Sequence, residues 1–147
     1  MRILAVDPGT VRVGLALSDE GESLATPLAT LRPGRDLGAR VAAAARDAGA
    51  ELVIVGLPRR LDGTEGPEAA GARGLAAAVS AAGLAAELWD ERFTSVMAEA
   101  ALREARPRRG RKAAAARRED TDRVAAAVLL QSVLDSRRSR NLTARGA

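Results

Sequence analysis

Cysteine, histidine and tyrosine are all absent from the 147 residues, and each absence removes a class of chemistry. Without cysteine there is no disulfide framework, no thiolate zinc site and no thiol nucleophile. Without histidine there is no Ser-His-Asp triad, no imidazole metal ligand and no imidazole acid or base. Any hydrolytic chemistry therefore falls to carboxylates, hydroxyls, basic side chains or a metal ion, and carboxylates with water suit hard cations such as Mg²⁺ or Mn²⁺. Aromatic residues are nearly absent too. Trp89 and Phe93 stand alone, too few for a base-stacking platform of the single-strand-binding kind. Long apolar runs are missing, as is the basic start and apolar stretch of a signal peptide. These features predict a soluble, cytoplasmic protein with no membrane partner.

What remains is enough for one compact domain that buries a core without staples. The charge is unevenly spread: residues 1–100 carry ten basic and fourteen acidic side chains, and residues 101–147 carry thirteen and five. Such polarity predicts a polyanionic partner for the C-terminal third. Only one of the 23 basic residues is lysine, Lys112, and arginine is the side chain that pairs bidentately with phosphate.

Short apolar runs at 2–7 and 13–19, then "ESLATPLATL", read as a three-strand antiparallel meander. Asp36 is placed to cap a helix over 37–48, closed by Gly49. "ELVIVGLP" reads as a buried strand, followed by a polar loop and a helix from Pro67 to near Gly83. "AELWDE" supplies a fifth strand, and Thr94 or Ser95 caps a helix to about Ala105. The charge run 106–118 reads as a mobile basic loop, with an alanine run that could also extend a helix. A last helix starts near Thr121, its apolar face formed by Val124, Val128, Leu129 and Leu134. The order predicts an α/β fold: a mixed five-strand sheet, antiparallel first and parallel after, flanked by about four helices. Residues 1–136 form the domain, and 137–147 read as a basic, disordered tail.

Three acidic positions bear on function. Asp7 ends the first strand, where a central strand would deliver it to the sheet's carboxyl edge, the place where open α/β sheets bind ligands. It could equally bond its own turn in "DPGT". Asp90 and Glu91 end the fifth strand, and because successive strand residues face opposite ways, at most one shares a face with Asp7. Asp122 opens the last helix, where acidic residues also serve as caps. Three carboxylates gathered with no lysine or histidine among them would repel unless a divalent cation neutralised them.

Four blocks, "RILAVDPGTVRVGLALSDE", "VIVGLPRRLDGTEGP", "LWDERFTSVMAEAAL" and "TDRVAAAVLLQSVLD", give the chain a specific resemblance. It resembles the YqgF or RuvX family of pre-16S rRNA nucleases, related to Holliday junction resolvases of the RuvC type within the ribonuclease H-like fold. The resemblance implies that Asp7, Glu91 and Asp122 are catalytic and hold one or two Mg²⁺ or Mn²⁺ ions. It implies phosphodiester hydrolysis in structured nucleic acid, either pre-rRNA or branched DNA, by a monomer or homodimer. Thr10, Arg12, Arg60, Arg92, Arg108, Arg109, Arg111, Lys112, Arg117 and Arg118 are the expected nucleic-acid contacts. The chain departs from the family pattern at Val11, where a lysine usually follows "DxGT", at Arg60, and at Glu119 and Asp120 before the last carboxylate.

Overall fold

The computed structural model describes the backbone of residues 1–9, 11–60, 62–91 and 111–146, with side chains throughout except over 111–122. Five strands make one sheet: β1 (Arg2–Pro8), β2 (Val13–Ser18), β3 (Ala25–Leu31), β4 (Ala50–Leu57) and β5 (Ala85–Asp90). Their order across the sheet is β3-β2-β1-β4-β5. β1 pairs antiparallel with β2, and β2 with β3, whereas β1–β4 and β4–β5 are parallel. The predicted mixed sheet is present, and β1 lies at its centre.

The described residues contain three helices: α1 (Leu37–Asp47), α2 (Pro67–Ala81) and α3 (Arg111–Gly146). A strand covered on both faces reads as a continuous apolar run, and Ile3, Leu4, Ala5 and Val6 of β1 are all fully buried. Alternate residues go to opposite layers. Leu4, Val6, Val53 and Val55 pack under α1 and α2, while Ile3, Ala5, Leu52 and Ile54 pack against Ala126, Leu129, Leu130, Val133 and Leu134 of α3. The edge strand β3 is largely exposed and tolerates Pro27, as an edge can.

Several boundaries differ from expectation. Asp36 precedes α1 without a side-chain cap; its carboxylate instead accepts from Arg40 Nε at 3.1 Å, one turn along. Gly49 closes α1 as predicted, at φ +75°. α3 begins at Arg111, not near Thr121, because 111–120 contains only alanine and charged residues, all free of the backbone constraints of glycine and proline. The tail expected to be disordered continues this helix to Gly146, and Arg137 Nε anchors it by donating to Glu22 Oε1 at 2.6 Å. The helix expected from Thr94 or Ser95 to Ala105 lies outside the described residues.

Gln131 fixes α3 against the sheet. Its amide oxygen accepts from the Ala25 N–H at 2.9 Å and its amide nitrogen donates to the Ser23 carbonyl at 3.1 Å. These contacts put the C-terminal half of α3 at the β2–β3 turn, which the antiparallel register places beside the start of β1. The N-terminal half of α3 therefore points toward the other edge of the sheet, where β1 ends at Asp7 and Pro8. No helix among the described residues is long and apolar enough to cross a membrane.

Candidate active site

The carboxyl edge of the sheet is assembled by strand register. Alternation along β1 puts Asp7 on the same face as Ile3 and Ala5, the face that α3 covers. Asp7 lies opposite Gly14 of β2, and Val6 opposite Val55 of β4, so Asp7 is level with Gly56. On β5, Leu88 packs with the α1–α2 layer and Trp89 with the α3 layer. The alternation therefore gives Asp90 to the first layer and Glu91 to the second.

The side chains follow that parity. Glu91 continues the ladder beyond β5, its N–H donating to the Leu57 carbonyl at 3.2 Å, and its carboxyl shares a hydrogen bond with Asp7. β4 lies between these two residues, so Glu91 crosses one strand to reach the central one. It does so over Gly56, where a Cβ would fall 2.4 Å from Glu91 Oε1. Asp90 turns away and sits 3.7 Å from Arg59 Nη1. Of the two adjacent acids, Glu91 is the one that meets Asp7.

Two facing carboxyls cannot both be ionised cheaply in a partly dry site, and a hydrogen bond between them needs one proton. Glu91 is accordingly pushed well above the usual carboxylate range, first by burial, then by the Asp7 hydrogen bond and the negative charges of Asp7 and Asp90. A hard cation would satisfy the same oxygens in the proton's place. Among the described residues no cluster of three potential ligands forms; the described carboxyls that meet here are Asp7 and Glu91, with Asp90 turned away. Asp122 belongs to α3 by backbone, four residues before buried Ala126. Its side chain lies outside the described residues.

The basic positions are dispersed. Arg12 is half-buried just after the β1–β2 turn, next to exposed Val11. The turn itself demands glycine, since a Cβ on Gly9 would lie 2.2 Å from the Arg12 carbonyl oxygen. Arg60 is exposed in the loop after β4. That loop bonds itself: Arg60 N–H donates to the Thr64 carbonyl at 2.9 Å, and Asp62 accepts from the Thr64 N–H and hydroxyl at 2.9 and 2.7 Å. Glu65 then grips Arg73 of α2 through two bonds of 2.9 and 3.0 Å. The "DGTEGP" stretch, 62–67, is thus a braced turn leading into α2. Arg111, Lys112, Arg117 and Arg118 belong to the first turns of α3 by backbone, their side chains outside the description; Thr10, Arg92, Arg108 and Arg109 lie outside the described residues altogether.

Sequence reasoning missed Arg59 and Gly56. Arg59 was legible only as part of a charged pair, yet it is the residue that meets Asp90, and its Nε is buried with no hydrogen-bond partner among the described residues. Gly56 stands inside the block "VIVGLP", but residue type does not reveal its role, because what matters there is empty volume. A cavity of about 200 Å³ lined by Glu22, Arg137, Arg138, Asn141 and Arg145 sits at the opposite end of α3, away from the carboxyl pair. The pair itself lies at the carboxyl edge of the sheet, apart from that cavity.

The family described as "RuvX: Holliday junction resolvase" matches residues 1–136. A Nocardioides protein named "Putative pre-16S rRNA nuclease" is 45% identical over 143 residues, spanning 92% of this chain and 88% of its own length. One of the same name from Anaeromyxobacter dehalogenans is 47% identical over 145 residues, spanning 93% and 98%. Among solved structures, T. thermophilus RuvC in complex with a Holliday junction substrate aligns with a TM-score of 0.55 at 19% identity, covering 95% of this chain and 96% of that one. Fowlpox virus resolvase with Holliday junction DNA aligns at 0.56 and 13% identity, covering 92% and 98%. At such identities the structural likeness shows the ribonuclease H-like fold.

Proposed function

Because the chain belongs to the RuvX family, we propose that it is a divalent-metal-dependent nuclease hydrolysing phosphodiester bonds in structured nucleic acid, and that its substrate is the 5′ end of pre-16S rRNA in the cytoplasm. The observation that carries this reading is the Asp7–Glu91 carboxyl pair at the carboxyl edge of the central strand. The relatives at 45% and 47% identity, both named for pre-16S rRNA, favour RNA.

The donor set is all oxygen, which fits Mg²⁺ or Mn²⁺, and the proton needed by the pair marks where positive charge is wanted. Asp7 and Glu91, with Asp122 from α3, would hold the cation. When bound, such an ion supplies a water of lowered pKa and positive charge for the phosphate oxygens. The chain's own task is to keep both strand carboxylates ionised and converging, and to fix the polymer with Arg12, Arg60, Arg92 and the basic residues 108–118. Thr10 adds a hydroxyl at the β1–β2 turn. Water attacks phosphorus, the bond to the 3′-oxygen breaks, and the products are a 5′-phosphate and a 3′-hydroxyl. No protein nucleophile is required, consistent with a chain that has no histidine, cysteine or tyrosine.

The test is cleavage of a precursor rRNA end in Mg²⁺ and in Mn²⁺ by wild type, Asp7→Asn, Glu91→Gln and Asp122→Asn. Each substitution is expected to abolish cutting without unfolding the protein. Retained activity in Glu91→Gln would sink the assignment of that residue. The family's description favours a second reading, junction resolution, which a four-way DNA junction assayed beside the RNA distinguishes.

A further inference from the structure

Gly56 is the one residue of β4 on the α3 face that offers no side chain to the core. Its neighbours on that face, Leu52 and Ile54, are buried apolar residues, and glycine within a strand weakens it by leaving nothing to pack. Its backbone has no positive φ to require glycine. The space above it is taken by Glu91: a Cβ at residue 56 would meet Oε1 at 2.4 Å, Cδ at 2.6 Å and Cγ at 3.0 Å. β4 separates β5 from β1, so any side chain at this position would stand between Glu91 and Asp7.

We propose that Gly56 is a positioning residue for the carboxyl pair: its missing side chain is the passage by which Glu91, borne at the end of β5, crosses β4 to converge with Asp7 on β1. The inference rests on the nuclease reading for its consequence in catalysis, but its structural content does not depend on it. In Gly56→Ala the methyl occupies the volume of the Glu91 carboxyl. The flexible Glu91 side chain swings aside while the strand, which accepts alanine by backbone, stays paired.

The experiment compares wild type, Gly56→Ala, Glu91→Gln and the double variant by thermal unfolding, Mn²⁺ titration, RNA cleavage and crystal structure. Gly56→Ala is expected to melt near wild type, to place the Glu91 carboxyl away from Asp7, and to lose about 10- to 100-fold in Mn²⁺ affinity and cleavage. In the Glu91→Gln background the alanine should change Mn²⁺ affinity by less than about twofold, since its effect acts through that carboxylate. Independent, multiplying effects would overturn the proposal, as would a Gly56→Ala crystal structure with Glu91 still on Asp7. Should Gly56→Ala fail to fold, Gly56→Ala/Glu91→Ala must fold, because the colliding group is gone; failure of that variant too would overturn it. A wild-type protein that binds no Mn²⁺ and cuts nothing would defeat the nuclease reading, and the crystal structures would still decide the role of Gly56.

Discussion

Glu91 keeps its proton well above the usual glutamate range, and that makes stability depend on pH. Between the ordinary glutamate value of about 4.3 and the raised folded value, the native state binds more protons than the unfolded chain. Stability contributed by this group is therefore complete at acid pH and lost as pH rises through the folded value. Melting in a chelating buffer should be higher at pH 5 than at pH 8, as far as this pair controls it. Glu91→Gln, which keeps a neutral hydrogen-bonding group in place, should flatten that slope and melt above wild type at pH 8. A rise of at least about 2–4 °C is expected, the shift that roughly 1 kcal/mol produces in a chain of this size. An unchanged slope in Glu91→Gln would show that the pair does not hold the proton. Alternation along β5 made it legible that only one of Asp90 and Glu91 could join Asp7. Which one did so depended on where β5 enters the sheet, and Arg59, the partner that takes Asp90, comes from a loop 31 residues away in sequence.

Elements were readable wherever local signals agreed. The glycine- and proline-punctuated apolar runs gave the strands, and Pro67 and Gly49 marked helix ends as their chemistry requires. The charge run 106–118 read as a mobile loop whose alanine run could also extend a helix, and from Arg111 the helix is what forms, since arginine and alanine are strong helix formers. Packing between helices was not legible, because a glycine inside a helix reads as a weakness. Gly38 of α1 is buried, and a Cβ there would stand 2.4 Å from the Ala78 Cβ of α2 and 3.4 Å from that residue's Cα and carbonyl carbon. Alanine at 38 would gain about 1 kcal/mol of helix propensity. Overpacking against a methyl and a backbone that have no rotamer to escape into costs about 1–3 kcal/mol. The clash is expected to win, so Gly38→Ala should lower the melting temperature, and Gly38→Ala/Ala78→Gly should recover it. A Gly38→Ala protein more stable than wild type would mean the two helices separate at little cost.

Across the whole molecule, topology converts sequence-distant residues into neighbours. β1 is central because the antiparallel meander builds to one side of it and the parallel crossover to the other, and that delivers Asp7 to the carboxyl edge between two layers of helix. α3 lies along one face with its N-terminal half toward that edge. The chain is acidic through residue 100 and basic after it, and part of that positive charge, Arg137, Arg138 and Arg145, lines the cavity at the far end of α3. Phosphate contacts made by arginine and lysine release counterions, so they appear in the salt dependence of binding, about 0.7 in the slope of log affinity against log salt for each contact on a single strand. Replacing Arg108, Arg109, Arg111 and Lys112 together with glutamine should weaken RNA binding most at low salt and flatten that slope by up to about 3. Mn²⁺ affinity should stay within about twofold, since the carboxyl pair is untouched. Filter-binding titrations at several salt concentrations, run beside the Mn²⁺ titration, measure both quantities. A slope equal to wild type would mean that this segment does not touch phosphate, and would leave Arg12, Arg60 and Arg92 to hold the polymer.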